Sequence, residues 1–421
     1  MRIIALWLGK ITYFSLKLIG RRGAALPGLV VESIFPSFLS SSLAKLPEGV
    51  VVVTGTNGKT TSTKMLTQIL SSEKKVLTNP TGSNFVRGIV ASIIQSSSWS
   101  GDLPYDIAVF ELDEAYAAQF VKLYKPRAAL ILNVMRDQMD RFGEIDHTAR
   151  LLQKVVHNTT DFVVLNRDDP RVAEMANQTQ NKVYYFGVSP ELRKVYLNDD
   201  ELHGEVKVDP LKQKAIAELR QIKEEGKVEI KIDDKDLFIT LAARGTYNAQ
   251  NAVAVCAVAY ALDISVDKIA THVAIVKPAF GRGESIKIGN KSVILQLVKN
   301  PGGFRHALLS GAQIKHAATI IAINDDYADS RDISWLWDVT FNKTLLGVNP
   351  IITSGTRAAD MALRLKYDDL IVNKSESNLQ NCLNNTLDSI KEGDSILIYT
   401  TYTAMLNLRS MLSKLTSVEK I

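Results

Sequence analysis

A turn between a predicted strand and a predicted helix is the feature that most constrains the fold of this chain. Residues 51–61 read Val-Val-Val-Thr-Gly-Thr-Asn-Gly-Lys-Thr-Thr, so an apolar, β-branched run leads straight into a turn with two glycines. Small residues let backbone N–H groups wrap a polyphosphate, and the following helix directs its positive end at the same anion. Lys59 would reach the terminal phosphates, and the Thr60 hydroxyl would bind Mg²⁺. The sequence therefore predicts ATP or a close relative as a ligand.

The predicted phosphate loop is shorter than the pattern G-x-x-x-x-G-K-[ST], because Val53 stands where that pattern has its first glycine. An ordinary strand-to-helix turn that happens to contain Gly and Lys is the alternative. The order of strand, turn and helix favours the phosphate loop. The residues predicted to contact the nucleotide are Gly55, Thr56, Asn57, Gly58, Lys59, Thr60 and Thr61.

Strand-like and helix-like segments alternate along most of the chain, which predicts the α/β class with parallel sheets covered on both faces. With 421 residues and 46% hydrophobic content, the chain is long enough for more than one core. We predict an amphipathic segment at 1–46, a central phosphate-loop domain at 47–277, a linker at 278–283, and a smaller Rossmann-like α/β domain at 284–421. The predicted strands are 50–53, 75–77, 107–111, 129–134, 161–165, 291–297, 318–323, 350–353 and 395–399. The predicted helices are 62–70, 88–95, 151–156, 247–262, 358–365 and 379–390.

Two segments depart from this alternation. Residues 184–236 are rich in Lys, Glu and Asp, and we interpret them as a charged insertion or small hairpin with a helix near 211–225. Residues 1–20 repeat apolar side chains at helical spacing between basic ones, without the length of a membrane span. That helix either lies on a membrane surface through residues 1–22 or docks its apolar stripe on the protein body. The stripe comprises Ile4, Trp7, Leu8, Ile11, Phe14 and Leu18.

Carboxylates and amides follow the predicted strands of the central domain. Glu111 ends one strand and Glu114 comes three residues later, where either acid could hold Mg²⁺ beside the loop; acids that favour a helix N-terminus are the alternative. Asn248 and Asn251 share one face at a helix start, where they could bind a base or ribose, although Asn248 could simply cap the helix. The loop after Asn133 carries further charges, which suit either a site or a solvated surface.

The second domain contains an unusual segment at 324–338, with five Asp and two Trp in fifteen residues. The tryptophans indicate a partner surface or a pocket wall, while several of the acids are typical of turns and caps. The two cysteines, Cys256 and Cys382, lie in apolar stretches and predict buried thiols in a reducing cytoplasm. The net charge of +5 is scattered among many acids, which argues against nucleic-acid binding.

Together these motifs resemble the Mur ligase superfamily and, within it, the MurT family, nearly from end to end. The phosphate loop alone indicates only the superfamily, whereas the Asp-rich Trp segment is far more specific. The matching segments are Gly-Arg-Arg-Gly-Ala-Ala-Leu-Pro-Gly at 20–28, Asp-Gln-x-Asp-Arg-x-Gly-Glu at 137–144, Arg-Gly-x-Tyr-Asn-x-x-Asn at 244–251, Pro-Ala-Phe-Gly-Arg-x-Glu at 278–284, Lys-Asn-Pro-x-Gly at 299–303, Asp-x-Ser-Trp-x-Trp-Asp at 332–338 and the Thr353–Arg364 run.

The resemblance implies ATP-dependent amidation of the D-glutamate α-carboxylate of lipid II to D-isoglutamine through an acyl phosphate, with Mg²⁺ as the metal. Ammonia would come from a GatD-type glutaminase in a heterodimer at the inner face of the cytoplasmic membrane. The resemblance assigns Lys59 to the phosphates, Thr60 and Glu111 to Mg²⁺, and Arg282 to the hinge between domains. An acid of the last domain, Asp332 or Asp338, would complete the partner's catalytic triad, and we favour Asp332.

Two departures from the family pattern affect this interpretation. Many MurT proteins carry a four-cysteine zinc ribbon, but residues 184–236 hold no cysteine, so we predict no zinc. Peptide-forming Mur ligases use a modified lysine after a His motif, whereas Gln138 stands where that His is expected. This difference favours ammonia over an amino acid as the nucleophile. A peptide-forming Mur ligase, a folylpolyglutamate synthase and a non-catalytic, nucleotide-gated binding module are the alternatives.

Overall fold

Two β-sheets organise the protein in the computed structural model, which describes residues 1–18, 25–79, 84–136, 145–202, 213–278, 281–348 and 350–418. The first sheet has the order β2-β3-β1-β4-β5-β6-β7-β8-β9, parallel from β2 to β7 and antiparallel at the β7–β8 and β8–β9 pairs. Its strands are β1 (Val50–Thr54), β2 (Val76–Thr78), β3 (Ile107–Glu111), β4 (Ala128–Ile131), β5 (Phe162–Asn166), β6 (Lys182–Val188), β7 (Ala217–Ile222), β8 (Lys227–Ile232) and β9 (Lys235–Thr240).

Helices cover both faces of the first sheet, as the near-continuous apolar character of its parallel strands requires. Strand β1 shows the arrangement, because Val51 and Val53 enter one hydrophobic core while Val50 and Val52 enter the core on the opposite face. The helices up to the end of the first sheet's unit are α1 (Arg2–Leu18), α2 (Leu26–Ile34), α3 (Phe38–Leu43), α4 (Lys59–Leu70), α5 (Val86–Ser96), α6 (Glu114–Leu123), α7 (Ile145–Asn158), α8 (Pro170–Ala173), α9 (Asp199–Leu202), α10 (Thr246–Ala261) and α11 (Val266–Ala274).

The second sheet has the order β10-β11-β15-β12-β13-β14, with only the β10–β11 pair antiparallel. It too is buried on both faces, by two separate cores. Its strands are β10 (Arg282–Ile288), β11 (Lys291–Leu297), β12 (Ala318–Ala322), β13 (Ile351–Ser354), β14 (Lys374–Glu376) and β15 (Ser395–Thr400), and its helices are α12 (Pro301–Gly311), α13 (Asn342–Leu345), α14 (Ala358–Tyr367), α15 (Leu379–Ser389) and α16 (Tyr402–Leu412).

The predicted α/β class with parallel sheets is confirmed, and so is the burial of Cys256 and Cys382 as free thiols. The predicted domain boundaries stay predictions. Several of the sequence motifs lie outside the described residues: the 137–144 segment with Asp137, Gln138 and Asp140, and positions 279–280 of the linker.

The predicted helix near 211–225 is wrong. Within the described part of this segment, residues 217–222 form β7, which pairs parallel with β6 and antiparallel with β8. Ala217 and Leu219 are buried while Glu218 and Arg220 point the other way, so the pattern has the period of a strand. The alternation could not be recognised in the sequence because charged residues are so frequent in this segment. The segment extends the first sheet with antiparallel strands.

Of the two alternatives for the N-terminal helix, the one in which it docks its apolar stripe on the protein body is wrong, and the membrane-surface alternative stays a prediction. The helix docks through Ala5, Leu6, Gly9 and Lys10, and it leaves the large apolar residues of the stripe exposed. None of the described helices is both long and apolar enough to cross a membrane.

Candidate active site

The phosphate loop lies at the carboxyl end of β1, near the middle of the first sheet. Gly55 and Gly58 take positive φ angles of 125° and 92°, which side-chain-bearing residues rarely adopt. A Cβ on Gly58 would lie 2.3 Å from Asn251 Oδ1, so this glycine also permits a close approach of α10 to the loop. Asn133 anchors the loop, because its side-chain oxygen accepts from the Asn57 N–H at 2.8 Å. The sequence thus places glycine where the loop's geometry excludes other residues.

Lys59 is buried at the base of this loop. Its Nζ donates to the carbonyl oxygens of Gly55 at 2.6 Å and Thr56 at 3.2 Å, and it pairs with Glu114 Oε2 at 3.2 Å. Asp113 Oδ1 lies 4.0 Å away. A buried cation with these partners is held at the loop instead of extending into solvent.

The two carboxyl groups beside Lys59 titrate differently. Burial raises the pKa of Asp113 to about 7, although the positive charge of Lys59 opposes this. Burial also acts against ionisation of Glu114, but the closer Lys59 charge outweighs it and lowers the pKa of Glu114 below its usual value. Lys59 therefore faces one firmly ionised carboxylate and one that titrates near neutral pH.

The predicted metal-binding residues Thr60 and Glu111 are in direct contact. The Thr60 hydroxyl donates to Glu111 Oε1 at 2.8 Å, at the point where β3 ends beside the start of α4. Asn79 fixes the backbone of Glu111 with two hydrogen bonds of 2.9 Å, one in each direction. A hydroxyl and a carboxylate beside a phosphate loop are ligands of the kind that Mg²⁺ takes together with phosphate oxygens. Sequence reasoning missed Asn79, whose role depends on the pairing of β2 with β3.

We call each sheet, together with the helices that pack on it, a unit. A cleft between the two units opens next to the loop. Asn248 and Arg282 line this cleft with Arg244, Tyr247 and Lys299. The Asn248 side chain donates to the Arg244 carbonyl oxygen at 2.8 Å from within α10, so it does not cap the helix; Gly245 holds that position.

Asn251 faces the phosphate loop, where its Oδ1 meets Gly58. Among the described residues, its Nδ2 is buried without a hydrogen-bond partner, and so is the Thr61 hydroxyl at the start of α4. Unsatisfied polar atoms of this kind are costly unless a ligand completes them. The structure thus brings together Lys59, Thr60, Glu111, Glu114 and Asn251, and sets Asn248 and Arg282 in the adjoining cleft.

The second sheet's unit touches the phosphate loop directly. Asn57 and Asn300 exchange two side-chain hydrogen bonds, of 3.2 and 3.1 Å, and both residues are buried. Asn300 also caps α12, because its Oδ1 accepts from the Gly303 N–H at 2.8 Å. Lys299 Nζ lies 3.4 Å from the Thr56 carbonyl oxygen. Sequence reasoning noted the Lys299–Gly303 motif without assigning it this contact, which joins residues more than two hundred positions apart.

A buried aromatic contact also connects the two units. The His306 ring of α12 contacts the rings of Tyr196 and Tyr247, at centroid distances of 5.5 and 5.4 Å. The Tyr196 hydroxyl donates to the Thr246 carbonyl oxygen at 2.6 Å. Burial, together with the neighbouring Arg305 charge, lowers the pKa of His306 to about 3. His306 is therefore a neutral structural residue at physiological pH.

The carboxyl edge of the second sheet carries the acidic segment. Asp329 is buried, and its Oδ1 accepts from the Thr403 N–H at 2.8 Å at the start of α16. Burial raises the pKa of Asp329, while the hydrogen bonds from Thr403 oppose that change. Asp332 and Asp338 lie further along the same segment. Asp332 accepts from the Ser334 N–H at 2.8 Å and is partly exposed, whereas Asp338 is exposed.

Arg364 fixes the conformation of the tryptophan segment. It is buried and donates to the carbonyl oxygens of Leu336 at 3.1 Å and Val339 at 2.5 Å. Its guanidinium also lies 5.4 Å from the centroid of the Trp337 ring. Trp335 packs on Phe304, but Trp337 remains 50% exposed. Trp335 is thus partly buried against the core, and Trp337 is presented on the surface.

Comparisons with known proteins agree with this architecture. Residues 53–259 match the model of the Mur ligase middle domain, and residues 297–405 match that of the MurT ligase C-terminal domain. The chain is 32% identical to the lipid II isoglutaminyl synthase (glutamine-hydrolyzing) subunit MurT of Streptococcus pneumoniae, over 99% of this chain and 98% of that protein. It is 29% identical to the subunit of the same name from Staphylococcus aureus, over 87% of this chain and 88% of that protein. MurF from Acinetobacter baumannii has the same fold, with a TM-score of 0.72 at 19% identity, covering 92% of this chain and 80% of that one.

Proposed function

The chain belongs to the MurT family of the Mur ligase superfamily, and from this premise we propose that it is the synthase subunit of a lipid II isoglutaminyl synthase. In this role it uses ATP to convert the α-carboxylate of D-glutamate in the lipid II stem peptide to the amide, as a step of peptidoglycan biosynthesis. The observation that carries the proposal is the extent of the relationship, which covers 99% of the chain and includes both the phosphate loop and the acidic tryptophan segment.

The residues present fit ATP and Mg²⁺. Gly55 and Gly58 keep the loop free of side chains where phosphates would approach. The Thr61 hydroxyl and the Asn251 amide nitrogen, which have no hydrogen-bond partner in the described part of the chain, are polar atoms that a ligand would satisfy. Thr60 and Glu111 would hold Mg²⁺, with Glu114 close by. Asn248, Asn251 and Arg282 would contact the nucleotide in the cleft.

When bound, ATP supplies the phosphoryl group that makes a carboxylate oxygen of the substrate a good leaving group, as an acyl phosphate. The chain's own residues supply position and charge for this chemistry. Lys59 is already held at the loop by two carbonyl oxygens and Glu114, so little reorganisation is needed for it to balance phosphate charge. The Asn57–Asn300 pair keeps the second unit against the loop, which would help exclude water from a reactive carboxyl derivative.

Ammonia would come from a GatD-type glutaminase bound to the second sheet's unit. The half-exposed Trp337, fixed by Arg364, is the kind of rigid aromatic anchor that protein interfaces use. Asp332 is the better candidate for orienting the partner's histidine, since the Ser334 N–H holds its carboxylate in place. Asp338 is the alternative. We further propose that the complex works in the cytoplasm at the inner face of the membrane, where residues 1–22 make peripheral contact.

Reconstitution tests the proposal directly. The chain is co-expressed with a candidate glutaminase, and the complex receives lipid II, ATP, Mg²⁺ and glutamine. Conversion of a carboxylate to an amide lowers the mass of lipid II by about one unit, and this change should disappear in Lys59→Ala. A mass increase by an amino-acid residue would instead identify a peptide-forming ligase. Unchanged lipid II despite ATP binding would contradict the amidation proposal and favour a binding module.

A further inference from the structure

Helix α1 presents its large apolar side chains to solvent. These residues recur three and four positions apart and therefore share one face of the helix. Ile11 is 58% exposed and Leu18 is 88% exposed, although helices of water-soluble proteins normally turn such a stripe inward. The exposed apolar residues of α1 are Ile3, Ile4, Trp7, Ile11, Phe14 and Leu18.

Small residues fix the opposite face of α1 against the protein. Ala5 and Gly9 are buried there, and a Cβ on Gly9 would lie 2.6 Å from Ile94 Cδ1 and 3.0 Å from Val31 Cγ2. The helix can approach α2 and α5 this closely only through its small-residue face. A rotation that buried the apolar stripe would require these large side chains to occupy the same space, so the exposed orientation is built into the packing.

Trp99, in the turn after α5, extends the apolar stripe. Its ring stacks on Phe14 at a centroid distance of 6.0 Å and an interplanar angle of 8°, and its carbonyl oxygen accepts from Trp7 Nε1 at 3.0 Å. The same turn is held by Arg2, which donates to the Gly101 carbonyl oxygen at 2.8 Å. Trp99 itself is 53% exposed. We call these exposed residues of α1, together with Trp99, the α1 surface.

The positive charge of the protein is concentrated in this part of the sequence. The first acidic residue of the chain is Glu32, and five basic residues precede it: Arg2, Lys10, Lys17, Arg21 and Arg22. Taking these five from the fifty Lys and Arg residues leaves forty-five, which equals the number of Asp and Glu residues. In the sequence, the formal net charge of +5 is therefore that of residues 1–31, the stretch that includes α1.

We propose that the α1 surface lies on an anionic phospholipid bilayer, with its apolar side chains inserted to the level of the headgroups. An exposed apolar stripe, two amphipathic tryptophans and a net excess of positive charge form the combination that interfacial helices use. Asp102, in the turn that contains Trp99, places one acid beside Arg2. Binding of an apolar protein partner would not require the positive charge. A second copy of the chain would bring the same positive charge, so the two copies would repel each other. Membrane binding itself does not depend on the proposed function. Only its role, which is to bring the active site to a lipid-linked substrate, rests on that proposed function.

Vesicle flotation with the full-length chain tests this, without ATP, lipid II or a partner protein. Wild type should float with vesicles that contain phosphatidylglycerol, and it should bind pure phosphatidylcholine vesicles at least about tenfold more weakly. The triple variant Trp7→Ser, Ile11→Ser, Phe14→Ser should lose about a hundredfold in partitioning. Lys17→Glu should lose about tenfold, and raised salt should weaken the binding of the wild-type chain. Phe238→Ser combined with Ile275→Ser removes two exposed apolar residues elsewhere and should bind like wild type.

Several results would overturn the proposal. The first is wild-type protein that stays in the soluble fraction, and the second is a triple variant that floats as well as wild type. The third is sedimentation without vesicles in which wild type is a dimer and the triple variant is a monomer. ATP binding by each variant confirms that it is folded. Amidation of lipid II in detergent separates the membrane proposal from the proposed amidation. Activity there without vesicle binding contradicts only membrane contact, whereas vesicle binding without activity contradicts only the amidation.

Discussion

The carboxyl edges of the two sheets differ sharply, although both sheets are mainly parallel and buried on both faces. At the first edge, Lys59 is buried, and its carboxylate partner Glu114 is also buried. At the second edge, Asp332 and Asp338 are partly or fully accessible, and Trp337 is half exposed. Parallel sheets gather functional groups at this edge in both cases. The side chains then decide whether the edge becomes an enclosed ligand site or a surface that another molecule can reach.

This difference suggests a division of labour between the edges. The first has loop glycines, a buried lysine and unpartnered polar atoms, which suit a nucleotide and its metal. The second has Asp332, whose carboxylate accepts from the Ser334 N–H, in the same segment as the half-exposed Trp337, which suits a macromolecular partner. Substitutions at the two edges should therefore fail in different ways.

The largest effect is expected at the first edge. Lys59→Ala should reduce ATP-dependent amidation by about a thousandfold or more, because it removes the charge placed for the phosphates. The variant also leaves Glu114 buried without its cation, so Lys59→Gln is a useful second variant that keeps a donor. Lys122→Ala, on the exposed face of α6, is the matched control and should retain activity. Substantial turnover in both Lys59 variants would mean that the loop does not serve the reaction.

A smaller effect, confined to the glutamine reaction, is expected at the second edge. Asp332→Asn should lower glutamate release by the glutaminase partner by at least about a hundredfold, because the partner's histidine loses the carboxylate that orients it. The assay follows glutamate in the purified complex, with complex formation checked by gel filtration. Asp338→Asn is the paired variant. Reduced glutamate release in Asp338→Asn, with normal release in Asp332→Asn, would show that Asp338 and not Asp332 orients the partner's histidine.

The contact between the two units should make stability depend on pH through His306. The pKa of this residue is about 3 in the folded protein but about 6.5 when unfolded, so the unfolded chain takes up a proton first as pH falls. Stability therefore decreases with falling pH, and between pH 7 and pH 5 the loss attributable to His306 is about 2 kcal/mol.

Urea unfolding of wild type and His306→Gln at pH 7 and pH 5 measures this contribution as the difference between their pH dependences. His147→Gln, at an exposed position of α7, should behave like wild type. The same pH dependence in wild type and His306→Gln would show that burial of His306 is not coupled to unfolding.

The smallest effect is expected at the amide pair that joins the units. Asn300→Ala removes two hydrogen bonds to Asn57 and the cap of α12, which together contribute about 2 kcal/mol. We expect about a tenfold loss of amidation with ATP binding nearly unchanged, because the phosphate loop itself is intact. Asn378→Ala, which removes the cap of α15 away from the loop, controls for helix capping. Equal losses in the two variants would mean that capping alone explains the Asn300 effect.

The sequence predicted the parts of the molecule that depend on local signals. The strand at 107–111 and the loop at 55–61 follow from apolar runs and glycines whose meaning does not depend on distant residues. Strand β7 was missed because its charged residues concealed an alternation that only pairing with β6 and β8 makes stable.

Other features depend on tertiary contacts and could not be predicted from local patterns. The buried face of α1 is set by the room that α2 and α5 leave, which favours Gly9 over the larger apolar residues. The Asn57–Asn300 pair joins the two units across more than two hundred residues. Asn79 supports Glu111 only because β2 and β3 are neighbours in the sheet.

Parallel amidation assays with glutamine and with ammonium chloride test the division of labour most directly. Both use the complex, lipid II, ATP and Mg²⁺, and compare wild type, Lys59→Ala and Asp332→Asn by mass spectrometry of lipid II. The account predicts that Lys59→Ala is inactive with either nitrogen source, whereas Asp332→Asn is inactive with glutamine and active with ammonium. Loss of both reactions in Asp332→Asn, or ammonium-dependent activity in Lys59→Ala, would contradict it.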